Sequence, residues 1–152
     1  MTKTVLTLCM IYNDTDVLLG KKKRGFGTGY FNGFGGHVEE GETIEDAAYR
    51  EVREEILVEP RNLQKRGVLN FFFKHMPEEL EVHVFSTSEF EGEPKETEEM
   101  EPRWYPLNKI PYQTMWADDK YWLPILLAGK NFRGEFYFKD AVTLLRHKIR
   151  EI

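Results

Sequence analysis

Cysteine is nearly absent from this chain. The single Cys9 can form no disulfide within it, and its apolar surroundings mark it as a small buried hydrophobe in a reducing compartment. Long apolar runs are missing too: Val5 to Tyr12 falls well short of the ~20 residues of a membrane helix and lacks the basic flank of a secretion signal. These absences point to a soluble, cytoplasmic protein in which Asn13-Asp14-Thr15 is a turn rather than a glycosylation site. Nor is there an excess of positive charge. The 21 Lys and Arg against 26 Asp and Glu leave a net charge of −5, which argues against a general binder of nucleic-acid polymers. Such a chain would handle a phosphate substrate through metal and a few local cations. With no internal repeat and no linker, residues 1–152 read as one domain acting as a monomer. The length suffices for a full core, and 41% hydrophobic residues, with 14% aromatics, are typical of a globular protein.

The most informative stretch runs from Gly35 to Val58, GGHVEEGETIEDAAYREVREEILV. Thr43 follows the Gly41 turn and, with Asp46 three residues on, predicts the capped start of a helix over about 44–56. On that helix Glu51, Glu54 and Glu55 fall within an arc of roughly 100°. The apolar stripe Ile44, Ala48, Val52 and Ile56 overlaps one edge of the arc, so the acids border the buried face. Three carboxylates at these spacings repel one another, and Arg50, within reach of Glu54 and Glu42, cannot serve them all. A hard divalent cation such as Mg²⁺ would resolve the conflict. Taken alone, the acids fit an ordinary solvated charged helix equally well.

The whole spacing is more specific. Gly36, Glu42, Arg50-Glu51, apolar Val52, Glu54-Glu55 and apolar Val58 match G-x5-E-x7-R-E-(apolar)-x-E-E-x-G-(apolar). This segment resembles the box that defines the Nudix hydrolases at every fixed position but one. The exception is Leu57, where the family has the Gly that ends the helix, so the exit turn is expected to be built differently.

Around the box the pattern is mostly β. Lys3–Tyr12 and Val17–Gly20 read as a hairpin about the Asn13–Asp16 turn. Thr7, polar within the first strand, suits a solvent face, a ladder position or a pocket wall. The basic run Lys21–Arg24 reads as a solvated strand end, with one cation available to a phosphate chain. Gly25–Gly36 has six glycines in twelve residues but opens no helix directly, which excludes a dinucleotide fingerprint. It reads as a loop and a short strand, with Asn32 among the aromatics Phe26, Tyr30, Phe31 and Phe34. Residues 62–74 and 80–90 predict a second hairpin, Phe71–Phe73 putting aromatics on both of its faces. His75 and His83 lack metal-site spacing. Residues 91–101 form an acidic loop, and a short strand begins at Trp104. Beyond Trp116, Asp118-Asp119 precede a helix over 121–127; they are either its N-terminal cap or a pair that cannot ionise together and so shares a proton. Gly134–Lys139 reads as a strand, and Val142–Ile149 as a final strand or, alternatively, a helix.

Nearly the whole chain resembles one Nudix branch, the oxidised purine nucleoside triphosphate hydrolases of the animal type, more than the bacterial MutT type. The segments that carry this are GKKKRGFGTGYFNGFGG, EVHVF and MWADDKYW. The resemblance implies an α/β/α sandwich with a mixed central sheet. It also implies hydrolysis of oxidised purine nucleoside triphosphates such as 8-oxo-dGTP and 2-oxo-dATP to monophosphate and pyrophosphate with Mg²⁺, Mn²⁺ being a substitute, which would sanitise the nucleotide pool. By the same resemblance the metal ligands are the Gly35 carbonyl, Glu51, Glu54, Glu55 and Glu99, the four glutamates also serving catalysis. Glu42 and Arg50 form a structural brace. The base and sugar are bound by Thr7, Lys22, Phe26, Asn32, Phe71, Phe73, Leu80, Trp116, Asp118 and Asp119. Leu80 stands where the family often has Met, and His37 where it has Lys. Two other readings remain: a Nudix hydrolase of ADP-ribose or a dinucleotide polyphosphate, and a nucleotide sensor without turnover.

Overall fold

The computed structural model describes residues 2–152. The first strand, β1 (Thr2–Tyr12), turns at Asn13, whose Oδ1 accepts from the backbone of Thr15 and Asp16 at 2.9 and 2.8 Å, and returns as β2 (Asp16–Lys22). The two pair only at Ile11–Leu18 and Tyr12–Val17, then diverge. A glycine-rich segment enters the gap after the short strand β3 (Phe31–Asn32): Cys9 and Phe34 exchange backbone hydrogen bonds, and Thr7 N donates to Gly36 O at 2.8 Å. This splitting of the sheet delivers the chain to α1 (Ile44–Ile56), which begins where the spacing predicts, with Thr43 Oγ1 accepting from Asp46 N at 3.0 Å.

The exit from α1 differs from expectation. Leu57 takes the same left-handed conformation that a glycine would supply (φ 59°, ψ 34°), and its N–H still bonds Arg53 O. The turn is therefore of the ordinary kind, held by a residue for which it is strained.

Next come β4 (Glu59–Arg61), β5 (Gln64–Phe73), β6 (Glu78–Thr87), β7 (Glu89–Glu91) and β8 (Met100–Pro106). The last begins four residues before Trp104, because Met100–Arg103 already pair along β2. After a 3-10 turn (Tyr112–Thr114) come α2 (Asp119–Leu127), β9 (Phe132–Phe138) and β10 (Leu144–Glu151). The last element is thus a strand, not a helix. The main sheet runs β10-β9-β5-β6-β1-β2-β3, with β8 also on β2; β1–β6 and β5–β9 are parallel and the other pairs antiparallel. A small sheet of β4 and β7 lies apart.

Alternation along β1 divides the core. Cys9 and Ile11 pack with Val52 and Ile56 of α1, whereas Met10 joins Leu69, Phe132, Phe136 and Trp122, Leu123 and Leu126 of α2. Burial pushes the Cys9 thiol up to about 12, so it is inert at physiological pH. The result is a mixed sheet between two helices, with no helix long and apolar enough to cross a membrane among the described residues.

Candidate active site

The acidic end is organised by one arginine. Arg50 Nε and Nη2 grip both oxygens of Glu42 at 2.7 and 3.0 Å, Nη2 also donates to His37 O at 3.0 Å, and Nη1 reaches Glu51 at 2.9 Å and Glu54 at 3.3 Å. That hydrogen bonding lowers the Glu42 carboxyl and raises the guanidinium still further. The brace ties the loop before α1 to the helix itself, so the carboxylates of α1 have a fixed platform.

Glu51 and Glu55 point to the crossing of the glycine segment over β1. Glu55, 5% exposed, accepts from Gly35 N at 2.8 Å. Burial first, and then the charge of Glu51, push its carboxyl up to about 8. Glu51, half-buried, is also raised, chiefly by loss of solvent and against the pull of Arg50. Gly35 is not replaceable, since a Cβ there would stand 1.8 Å from Thr7 O; a Cβ on Gly36 would stand 2.6 Å from Glu51 Oε1 and displace that carboxylate. Glu54 stays exposed on Arg50. Glu99 lies on the acidic loop, where Arg24 Nε and Nη2 donate to it at 2.9 and 2.5 Å and hold its carboxyl below the usual range. The structure thus joins Glu51, Glu55 and Gly35 and keeps Glu54 and Glu99 on arginines. Among the described residues no three acidic, His or Cys side chains are gathered as a ready cation site.

Beside this edge, on the α2 side, opens a cavity of about 370 Å³. Thr7, Lys22, Phe26, Asn32, Phe71, Phe73, Leu80, Trp116, Asp118 and Asp119 all line it, together with Glu55 and His37. Lys22 also draws Glu55 and Glu99 toward their ionised forms, so one cation of the basic run does face the acidic end. Its neighbours Lys23 and Arg24 instead pair with Glu96, Glu98 and Glu99. Trp116 is fixed by Phe26, stacked at 5.2 Å and 15°, and by Tyr30, edge-on at 4.7 Å. Phe71 and Phe73 turn into the cavity side of β5, while Phe72 stacks on Tyr137 across the sheet.

Asp118 and Asp119 are not a helix cap. Asp118 has helical angles and no capping side-chain bond; its Oδ2 accepts from Trp122 Nε1 at 2.8 Å. Both carboxyls, 4% and 2% exposed, are raised by burial, Asp119 further by the charge of Asp118 and their mutual hydrogen bond. Both are therefore held toward the protonated form, as a property of the pair rather than of either residue. Asp119 Oδ2 and Thr7 Oγ1, both buried, have no partner within the protein. Asn32 Oδ1 accepts from Gly33 N at 2.8 Å, which leaves its amide N–H groups free. An apolar, aromatic cavity with a few convergent, unfilled polar groups is a site for a flat, hydrogen-bonding ligand.

Sequence reasoning missed Tyr30, Leu8, Phe138 and Ala141 as further parts of the lining. Tyr30 was signalled by its place in the aromatic glycine loop and Phe138 by the alternation of β9. Ala141, in a hairpin turn, carried no signal.

The NUDIX domain model matches residues 2–126. The chain is 48% identical over 151 residues to the oxidized purine nucleoside triphosphate hydrolase of Mus musculus, covering 99% of this chain and 97% of that protein. It is 46% identical to the protein of the same name from Danio rerio, with the same coverage. Among solved structures it is similar to the MutT protein of Bacillus halodurans, with a TM-score of 0.86 at 26% identity over 96% of this chain and 97% of that one. With all of the box but its closing glycine built around the Arg50 brace, and the likeness running along nearly the whole chain, the chain belongs to the NUDIX hydrolase family.

Proposed function

We propose that this protein hydrolyses oxidised purine nucleoside triphosphates, 8-oxo-dGTP and 2-oxo-dATP among them, to the monophosphate and pyrophosphate. The observation that carries the reading is the buried Asp118–Asp119 pair beside Trp116, with an open Asp119 oxygen and an open Thr7 hydroxyl facing an aromatic cavity. A single shared proton lets the pair offer a donor and an acceptor to a purine edge. Moving that proton between the two carboxyls reverses the pattern, so one pocket serves both an oxidised guanine and an oxidised adenine. The vertebrate relatives named above, alike over nearly the whole chain, support the same substrate class.

NUDIX hydrolases generally work with divalent metal ions, and Mg²⁺ is the ion we propose. The acidic edge fits such an ion: burial, and then the charge of Glu51, hold Glu55 toward its protonated form, a conflict that a hard cation with oxygen ligands removes. Gly36 leaves the space beside Glu51 free of any side chain. Glu51, Glu55 and the Gly35 carbonyl would hold it, joined by Glu54 and Glu99 once these leave Arg50 and Arg24. When bound, the ion supplies charge neutralisation for the phosphates and a more acidic water. The chain's residues do the rest. Lys22 stands between base and phosphates, Trp116 stacks the base, and Arg50 fixes the helix. Glu55, at the acidic edge, is the carboxylate we propose takes the proton of the attacking water as the bond between the α- and β-phosphates breaks and pyrophosphate leaves.

The test is kcat/KM on 8-oxo-dGTP, 2-oxo-dATP, dGTP and ADP-ribose for wild type, Asp118→Asn and Asp119→Asn. Preference for the oxidised purines, altered unequally by the two variants, is expected. Preference for ADP-ribose, or unchanged rates in both variants, would sink the pocket assignment.

A further inference from the structure

The whole-chain charge of −5 conceals a strong segregation. Residues 130–152 carry six Lys and Arg against three Asp and Glu, so the remainder is at −8 and this segment at +3. In the fold the segment becomes β9 and the edge strand β10, and register places four of its six cations on one face. Arg146 lies opposite Tyr137, Lys148 opposite Glu135, and Arg150 opposite Arg133. That face continues onto β5 through Phe72, the cross-strand neighbour of Tyr137. It is the side of the sheet away from α2, and α1 packs on β1, β4 and β8 instead.

The acids that neighbour this face are engaged locally, and its cations are not. On the same face, Glu79 and Glu81 are paired with Lys3, and Glu81 also with His83. Arg133, Arg146, Lys148 and Arg150 have no ion pair among the described residues, and Glu135 accepts instead from Tyr137 OH. Two arginines directly opposite in an antiparallel pair repel each other. Charges on an edge strand do protect against aggregation, but Arg133 lies on β9, an inner strand, and protection does not need one sign on both strands. Arg146 covers Tyr137 at 4.3 Å, and Tyr137 stacks on Phe72 at 4.8 Å, so an aromatic ridge runs beside the cations.

We propose that this open face of β5, β9 and β10 is a docking surface for single-stranded nucleic acid. Arg146, Lys148 and Arg150 repeat every second residue, about 6.6–6.8 Å apart, close to the spacing of successive phosphates along an extended strand. The exposed edge of the Phe72–Tyr137 ridge gives the bases an apolar, sequence-tolerant contact. The nucleotide cavity is lined chiefly from the other side of the sheet, by Leu69, Phe71 and Phe73 of β5 and by Asp118 and Asp119, so both are occupied at once.

The experiment is fluorescence anisotropy of a labelled short oligo(dT) strand with the full chain, at low salt and without divalent metal. Binding is expected to weaken with salt at a logarithmic slope of about −2 to −3, as for three to four neutralised phosphates on a single strand. The double variant Arg133→Glu/Arg150→Glu is expected to lose at least tenfold in affinity while keeping its hydrolysis of free nucleotides. No binding by the wild type, equal binding by the variant, or displacement of the strand by a nucleoside triphosphate would overturn the proposal. Equal binding of poly-glutamate would also overturn it, by showing that the surface takes acidic polypeptide instead.

Discussion

Replacing Glu55 by Gln is expected to stabilise the metal-free protein, by an amount set by pH. In the unfolded chain this carboxyl ionises near 4.5, whereas in the fold burial and Glu51 hold its proton up to about 8. Between these values the folded state binds the extra proton. The contribution is therefore fully present below pH 4.5 and is lost progressively as pH rises toward 8. Each factor of ten in proton affinity corresponds to ~1.4 kcal/mol, so the penalty is about 3 kcal/mol at pH 7. Glutamine keeps an oxygen for Gly35 N and carries no charge, so it escapes the penalty. Urea unfolding of wild type and Glu55→Gln, with a chelator, at intervals from pH 4.5 to 8, measures this directly. The two curves should nearly coincide at the acid end and separate with rising pH, the midpoint of the variant moving up by about 1–3 M near neutrality for a urea slope of ~1–3 kcal/mol/M. Hydrolysis should be lost in the same variant. A stability gap of constant size across the pH range would refute the reasoning, because it would mean that Glu55 ionises in the fold as freely as in the unfolded chain.

Two further outcomes follow from the backbone around the box. Gly36→Ala would press a methyl group against the Glu51 carboxylate, 2.6 Å away; the expected result is a fall in kcat of about a hundredfold, the cost of misplacing a catalytic group by ~1 Å, with melting temperature little changed. At the helix exit, Leu57→Gly should leave stability unchanged or slightly raised, since relief of left-handed strain (~1–2 kcal/mol) is offset by glycine's flexibility in the unfolded chain. Leu57→Val, branched at Cβ in the same conformation, should cost roughly 1–2 kcal/mol in chemical denaturation.

Local features were legible in advance where local forces decide them. The Thr43 cap, the span of α1 and the Glu42–Arg50 pair depend on residues within about one helical turn or two, and the structure holds them where spacing put them. Leu57 misled because a family glycine was taken as necessary, whereas the Arg53 carbonyl bond and exposure of the Leu side chain tolerate the strain. The strand β8 was placed too late because Met100–Arg103 owe their conformation to pairing with β2, far off in sequence. For Asp118 the cap reading lost to a contact with Trp122, invisible until both were buried.

By itself, the sequence determined the helix that carries the acids, the box around it, the strand-rich remainder and the absence of any disulfide within the chain, since each depends on residue type and short-range spacing. Only the tertiary structure decided that Glu55 keeps its proton toward pH 8 while Glu54 does not share its burial. It alone put Glu99 on Arg24, joined Thr7 to Asp119 in one cavity, and gathered four unpaired cations on one face of an acidic protein. Proton affinity, cavity shape and surface potential are set by what distant segments exclude from water and bring within a few ångströms, which no short window of sequence contains.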